Sequence, residues 1–143
     1  METTITAIQQ FILAGKSFFT IQNKETEKRF TYKVCQATDD DKKPKDLWFV
    51  SILVGSDNDN SYQYAGIITS GGFRITAKSR ITDEATSVKA FTWLWGMIKS
   101  NRELPEKVEF YHAGRCARCG RKLTTPESIE LGFGPKCAGI VGI

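Results

Sequence analysis

The chain has one histidine, His112, in 143 residues, and this scarcity excludes more chemistry than any other feature. Histidine is the commonest general base near neutral pH, and a His-metal nuclease needs one beyond its structural ligands. There is no glycine-rich phosphate loop, no nucleophile with a local base, and no acidic pair backed by a histidine, so the sequence predicts no enzyme. No apolar run approaches the roughly 18 residues that a membrane span requires. The opening Met1-Glu2-Thr3-Thr4-Ile5-Thr6 lacks the basic start and apolar core of a secretory signal. A cytoplasmic, reducing compartment is therefore expected. In such a compartment the four cysteines point to metal or redox chemistry rather than to two disulfides, because Cys116 and Cys119 form a close pair. Internal repeats and low-complexity segments are also lacking.

The remaining composition is that of a globular protein, 41% apolar and 25% charged. A net charge of +4 permits a nucleic-acid partner without requiring one. Ile5, Ile8, Phe11 and Ile12 recur at helical spacing, with Thr3 or Thr4 as N-cap and Gly15 as the stop. Strand patterns follow at 17–22 and 29–36, joined by a polar connection. In the second, Phe30, Tyr32 and Val34 share one face while Thr31, Lys33 and Cys35 share the other. Cys35 is read as a free structural cysteine. After a charged loop at 39–46, residues 47–54 form a nearly continuous apolar strand suited to the centre of a sheet. Residues 55–60 are a turn whose spacing does not match a calcium loop. A second hairpin covers 62–69 and 73–76. Thr82 or Asp83 is expected to cap a helix running to Ser100, with one apolar seam of Val88, Phe91, Trp95 and Ile98 and a second of Ala90, Trp93, Leu94 and Met97. These elements predict an α+β fold of about four to six antiparallel strands packed on the long helix. The domain comprises residues 1–104, and a C-terminal module comprises 105–143.

That module carries the most specific chemistry. A strand at 107–112 ends on His112, and His112, Cys116, Cys119 and Cys137 follow the spacing H-x3-C-x2-C-x17-C. Zinc takes four thiolate or imidazole ligands tetrahedrally, and a Cys-x2-Cys turn presents two sulfurs to one ion. Gly120 supplies the unrestricted backbone of such a turn. Thr125-Pro126 starts a short helical turn ending near Gly132, and Gly134-Pro135 places Cys137 in the first turn of a terminal helix. A redox pair would sit at the start of a long helix, which Gly120 does not favour. A catalytic zinc would need His112 left out of the ligand set and Glu127 or Glu130 as base. One structural Zn2+ in a zinc-ribbon or treble-clef-like module is the expectation. Because His112 alternates with Val108 and Phe110, it also fits a buried core histidine.

The string from Cys116 to Ala138, CARCGRKLTTPESIELGFGPKCA, resembles a domain-of-unknown-function family found in bacteriophage, prophage and actinobacterial proteins. The resemblance implies a zinc-binding phage or prophage protein acting in the bacterial host cytoplasm, and brings no reaction with it. Arg115, Arg118, Arg121 and Lys122 crowd the cysteine pair, and Lys33 and Arg74 sit among aromatic residues. Basic groups neutralise phosphates while exposed rings stack on unpaired bases, so a zinc-stabilised accessory protein that binds single-stranded DNA or RNA is expected. The alternative is a protein-binding effector that inhibits a host defence or replication factor.

Overall fold

A computed structural model describes residues 4–54 and 61–142, and the turn expected at 55–60 lies outside them. The first helix, α1 (Ile5–Ile12), starts at Thr4, whose Oγ1 accepts from the Ala7 amide at 3.3 Å. Its four expected apolar residues are all buried. Trp48 closes its other end by donating its indole N–H to the Leu13 carbonyl at 3.1 Å. Six strands follow the expected pattern: β1 (Lys16–Asn23), β2 (Arg29–Thr38), β3 (Pro44–Leu53), β4 (Tyr62–Thr69), β5 (Gly72–Arg74) and, after the second helix, β6 (Val108–His112). They form one antiparallel sheet in the order β5-β4-β3-β2-β1-β6. β3 begins inside the stretch expected to be a charged loop, with Pro44 at its first position, where the missing N–H costs least.

The long helix α2 (Thr86–Lys99) starts later than expected. Residues 82–85 make a turn instead, with the Ala85 amide donating to the Thr82 carbonyl at 3.1 Å, and Ala85 caps the helix without a side-chain bond. Val88, Phe91, Leu94, Trp95 and Ile98 are buried, so Leu94 of the second seam joins the core. Trp93 of that seam stays 39% exposed. No helix among the described residues is long and apolar enough to cross a membrane.

Strand register decides which face of the sheet the helices cover. Cross-strand partners place Phe110, Ile21 and Phe30 in one row, and His112, Phe19, Tyr32 and Ile52 in the next. Val34 and Val50 pair beyond these. This face meets Ile8 and Phe11 of α1 and Phe91 of α2 in a single buried cluster. Phe91 is its hub, with ring centroids 5.1 Å from Tyr32 and 4.7 Å from Phe73. Tyr32 satisfies its buried hydroxyl by donating to the Ser87 carbonyl at 2.7 Å. The strand alternation expected for β2 is therefore present, with Tyr32 and Val34 inward.

The last two helices, α3 (Pro126–Leu131) and α4 (Pro135–Val141), belong to the cysteine-rich module. β6 pairs along β1 from Phe19–His112 to Asn23–Val108, so strands from both sides of the boundary at residue 104 belong to one continuous sheet. Cys116, Ala117, Leu123, Phe133, Cys137 and Ala138 are part of the same buried cluster as α1.

Candidate metal centre and adjoining basic groove

Three chain segments bring the cysteines together. Cys116 and Cys119 lie on a turn, or knuckle, closed by an isolated β-bridge between Arg115 and Lys122. The Cys116 amide donates to the Arg121 carbonyl, and the Gly120 amide to the Cys116 carbonyl, each at 2.8 Å. Gly120 at φ +77° supplies the left-handed residue this turn needs. Thr125 caps α3 through Oγ1, which accepts from the Ser128 amide at 3.2 Å, and Gly132 ends it at φ +79°. The reversal after Gly132 leads to α4, which carries Cys137 in its first turn.

The sulfurs of Cys116, Cys119 and Cys137 all lie within 4.8 Å of one another. Cys116 is fully buried, Cys137 is nearly so, and Cys119 is exposed. Burial pushes the Cys116 thiol up, but hydrogen bonds from the amides of Gly134, Cys119 and Arg118 and from the Cys119 side chain bring it down to about 7. Amides turned toward a sulfur favour the thiolate, which is the form a metal needs. Burial pushes the Cys137 thiol up, and its cysteine neighbours add to this, while a hydrogen bond from Arg118 works the other way. Arg118 Nη1 donates to Cys137 Sγ at 3.6 Å. Three clustered thiols with amide and guanidinium donors fit a soft divalent cation.

His112 stands outside this group. Its Nδ1 accepts from the Gly114 amide at 3.0 Å, which leaves Nε2 protonated to donate to the Ile129 carbonyl on α3. Its ring also lies 6.0 Å from that of Phe11. The fourth ligand expected at His112 is thus not among the ligand atoms that cluster here, and both its ring nitrogens bind backbone groups. The residue instead pins α3 to the end of β6. Substituting His112→Gln is expected to leave the metal stoichiometry of the purified protein unchanged while lowering stability by about 1 kcal/mol through the lost hydrogen bonds. Metal analysis beside thermal denaturation checks this.

The expected nucleic-acid contacts separate into groups. On the sheet face away from α1 and α2, register places Tyr111, Thr20 and Thr31 in one row, and Phe18, Lys33, Ser51 and Tyr64 in the next. A further row holds Lys16, Cys35, Phe49, Ile67 and Arg74. Lys33 Nζ lies 5.2 Å above the Tyr62 ring, and Arg115 Cζ lies 5.5 Å from the Phe18 ring. Phe49 and Tyr111 are each 43% exposed. Glu109, a carboxylate on this face, is ion-paired with Lys24 at 2.9 Å. Where this face meets the knuckle there is a groove of about 1000 Å³. Arg29, Thr31 and Tyr111 line it from the strands, and Arg115 and Lys122 from the knuckle.

Arg115, Lys122 and Lys33 thus share one surface, and Arg74 lies at its far edge on β5. Arg118 serves the sulfurs instead, and Arg121 contributes a carbonyl to the knuckle fold. Phe30, Tyr32 and Phe73, the rings flanking the basic residues in sequence, face or pack against the core. The rings that do accompany the cations, Phe18, Phe49, Tyr62, Tyr64 and Tyr111, escape sequence reasoning, as does Arg29. Their one signal is the presence of aromatic residues at both alternations of a strand, as at Phe18 and Phe19. Cys35 also lies on this face, outside the thiol cluster, and burial raises its thiol despite Lys33 and Lys16.

Residues 107–142, from the start of β6 through α4, match a family described as a family of unknown function, DUF6011. No curated protein and no solved structure matches the chain.

Proposed function

We propose that the protein binds single-stranded DNA or RNA on the sheet face opposite its helices, and that Cys116, Cys119 and Cys137 hold one structural zinc ion beside it. The observation that carries this is the interleaving of rings and cations on that face, with Lys33 over Tyr62 and Arg115 against Phe18. An antiparallel sheet with one face buried and one open offers a flat platform. Exposed rings stack on unpaired bases of any sequence, and the cations track the backbone phosphates. Duplex DNA hides its base faces, so rings on an open sheet favour single strands.

Fluorescence anisotropy with labelled oligo-dT, oligo-U and a duplex, across a salt series, tests the proposal. Single strands are expected to bind more tightly than the duplex, with log affinity falling linearly in log salt. Tyr111→Ala is expected to weaken binding about tenfold, within the range for losing one stacking ring. Absence of single-strand binding at low salt would sink the proposal. The two single-stranded probes separate a preference for ribose from one for deoxyribose.

The protein-binding alternative has one observation in its favour. Exposed Trp93 lines a cavity of about 530 Å³ together with Ala90, Lys28 and Lys107. Exposed tryptophan is enriched at protein interfaces. A polypeptide captured from lysate that survives nuclease treatment and is lost on Trp93→Ala would favour it.

A further inference from the structure

The groove beside the knuckle is built from two parts of different robustness, and any regulated role for it rests on the single-strand binding proposed for this face. Its strand wall, carrying Arg29, Thr31 and Tyr111, is fixed by the β2–β1–β6 ladder. That ladder is held by its own cross-strand pairs and by a buried cluster in which Cys116 and Cys137 are two of many members. Its other wall carries Arg115 and Lys122, the two halves of the bridge that closes the knuckle. Cys116 and Cys119 lie between them in sequence, and the third thiol arrives on α4.

Apart from the burial of Cys116, Ala117 and Leu123, few backbone bonds set this second wall. The Leu123 amide donates to the Gly114 carbonyl, the Cys116 amide to the Arg121 carbonyl, and the Lys16 amide to the Ala117 carbonyl, each at 2.8 Å. A one-bridge hairpin is marginal by itself in water. A metal held by three thiolates from the knuckle and α4 would supply the missing constraint, since metal binding energy is folding energy for such a segment. Arg115 also sends Nη1 to the Gly120 carbonyl at 3.1 Å, so its direction depends on the shape of the turn between the two cysteines.

We infer that metal occupancy of the cysteine cluster sets the affinity of the groove for a single strand, by fixing Arg115 and Lys122 as phosphate contacts on a wall whose strand side binds without the metal. The site is therefore composite. Rings and Arg29 on the sheet give a basal, metal-independent affinity, and the knuckle adds two cations only when it is clamped. An intracellular chelator or a thiol oxidant would lower strand affinity without dissolving the sheet.

The test compares full-length protein reconstituted with Zn2+ and the same protein stripped by chelator, titrated with oligo-U or oligo-dT at several salt concentrations. Far-UV circular dichroism should show that the sheet survives stripping. Affinity should fall about tenfold at low salt, and the log–log salt slope should shrink by about 1.4, since each phosphate contact on a single strand contributes about 0.7. The double variant Arg115→Gln, Lys122→Gln keeps the sulfurs. Loaded with Zn2+, it should show the stripped protein's slope and should lose nothing further to chelator. Equal affinity and slope with and without metal would overturn the inference, as would a double variant that still responds to chelator or a stripped protein whose sheet is lost. Binding of no strand by loaded wild type would instead overturn the single-strand proposal itself, and this inference with it.

Discussion

Substituting Cys116→Ser is expected to abolish metal binding, proposed above as one zinc ion per chain, and to unfold the segment after His112 while leaving the sheet, β6 included, in place. Cys116 is the most consequential of the three sulfurs because it is fully buried and receives amides from both sides of the cluster, Arg118 and Cys119 in its own knuckle and Gly134 before α4. Serine retains the shape but is a poor ligand for a soft ion. Zinc-finger peptides gain about 10–16 kcal/mol of apparent binding energy from such sites, and that energy is coupled to folding. Loss of even a fraction exceeds the stability of a module of two short helices, six and seven residues long. Metal analysis, thermal denaturation and limited proteolysis of the region after His112 measure the effect. Cys35→Ser serves as the control, since that thiol is not part of the cluster, and should retain the metal. A Cys116→Ser protein with full zinc content and an unshifted melting point would refute the site.

Gly15→Val is expected to destabilise the protein by about 3 kcal/mol, combining strain at a special backbone conformation with overpacking. Gly15 has φ +145°, and a Cβ built on it would lie 2.5 Å from the Arg118 carbonyl oxygen. The neighbouring backbone has little room to yield. The Gly15 carbonyl accepts from the Gln36 amide, and the Lys16 amide donates to the Ala117 carbonyl, both at 2.8 Å. The knuckle would have to lift from the start of β1. A melting point lowered by about 6–12 °C corresponds to this loss for a chain of this size, and metal affinity should fall with it because Arg118 and Ala117 lie between Cys116 and Cys119. Gly96→Ala is the contrasting case. It lies inside α2 with nothing within 4 Å of a built Cβ, and should stabilise the protein by roughly 0.5–1 kcal/mol. If Gly15→Val proves as harmless as Gly96→Ala, the close approach of knuckle and strand is wrong.

The parts of this fold legible in sequence are those decided by local periodicity. The α1 stripe, the β2 alternation and the caps at Thr125 and Gly132 each depend on residues within a few positions of one another, and each is present. The start of α2 is not legible, since Thr82 and Asp83 look like caps while the chain turns once more before the helix begins. His112 shows the harder limit. Strand alternation puts it in a row with apolar residues, and spacing puts it before a cysteine pair, but the Ile129 carbonyl that accepts the hydrogen bond from its Nε2 is 17 residues away on a helix. The same holds for the aromatic residues. A strand with rings on both alternations does not say which face the helices will cover, so Phe30 and Tyr32 draw attention while Phe18 and Tyr111 do not.

The strand order has a kinetic consequence. β1 is flanked by β2, its neighbour in sequence, and by β6, whose His112 pairs with Phe19 across most of the chain. Such a contact carries a large loop-closure cost that must be met before any pairing energy is returned. Local hairpins such as β4–β5 are available early, whereas the β1 edge stays unpaired until Val108–His112 has been synthesised. The groove and the thiol cluster both adjoin that edge, so neither is complete until β6 has paired with β1.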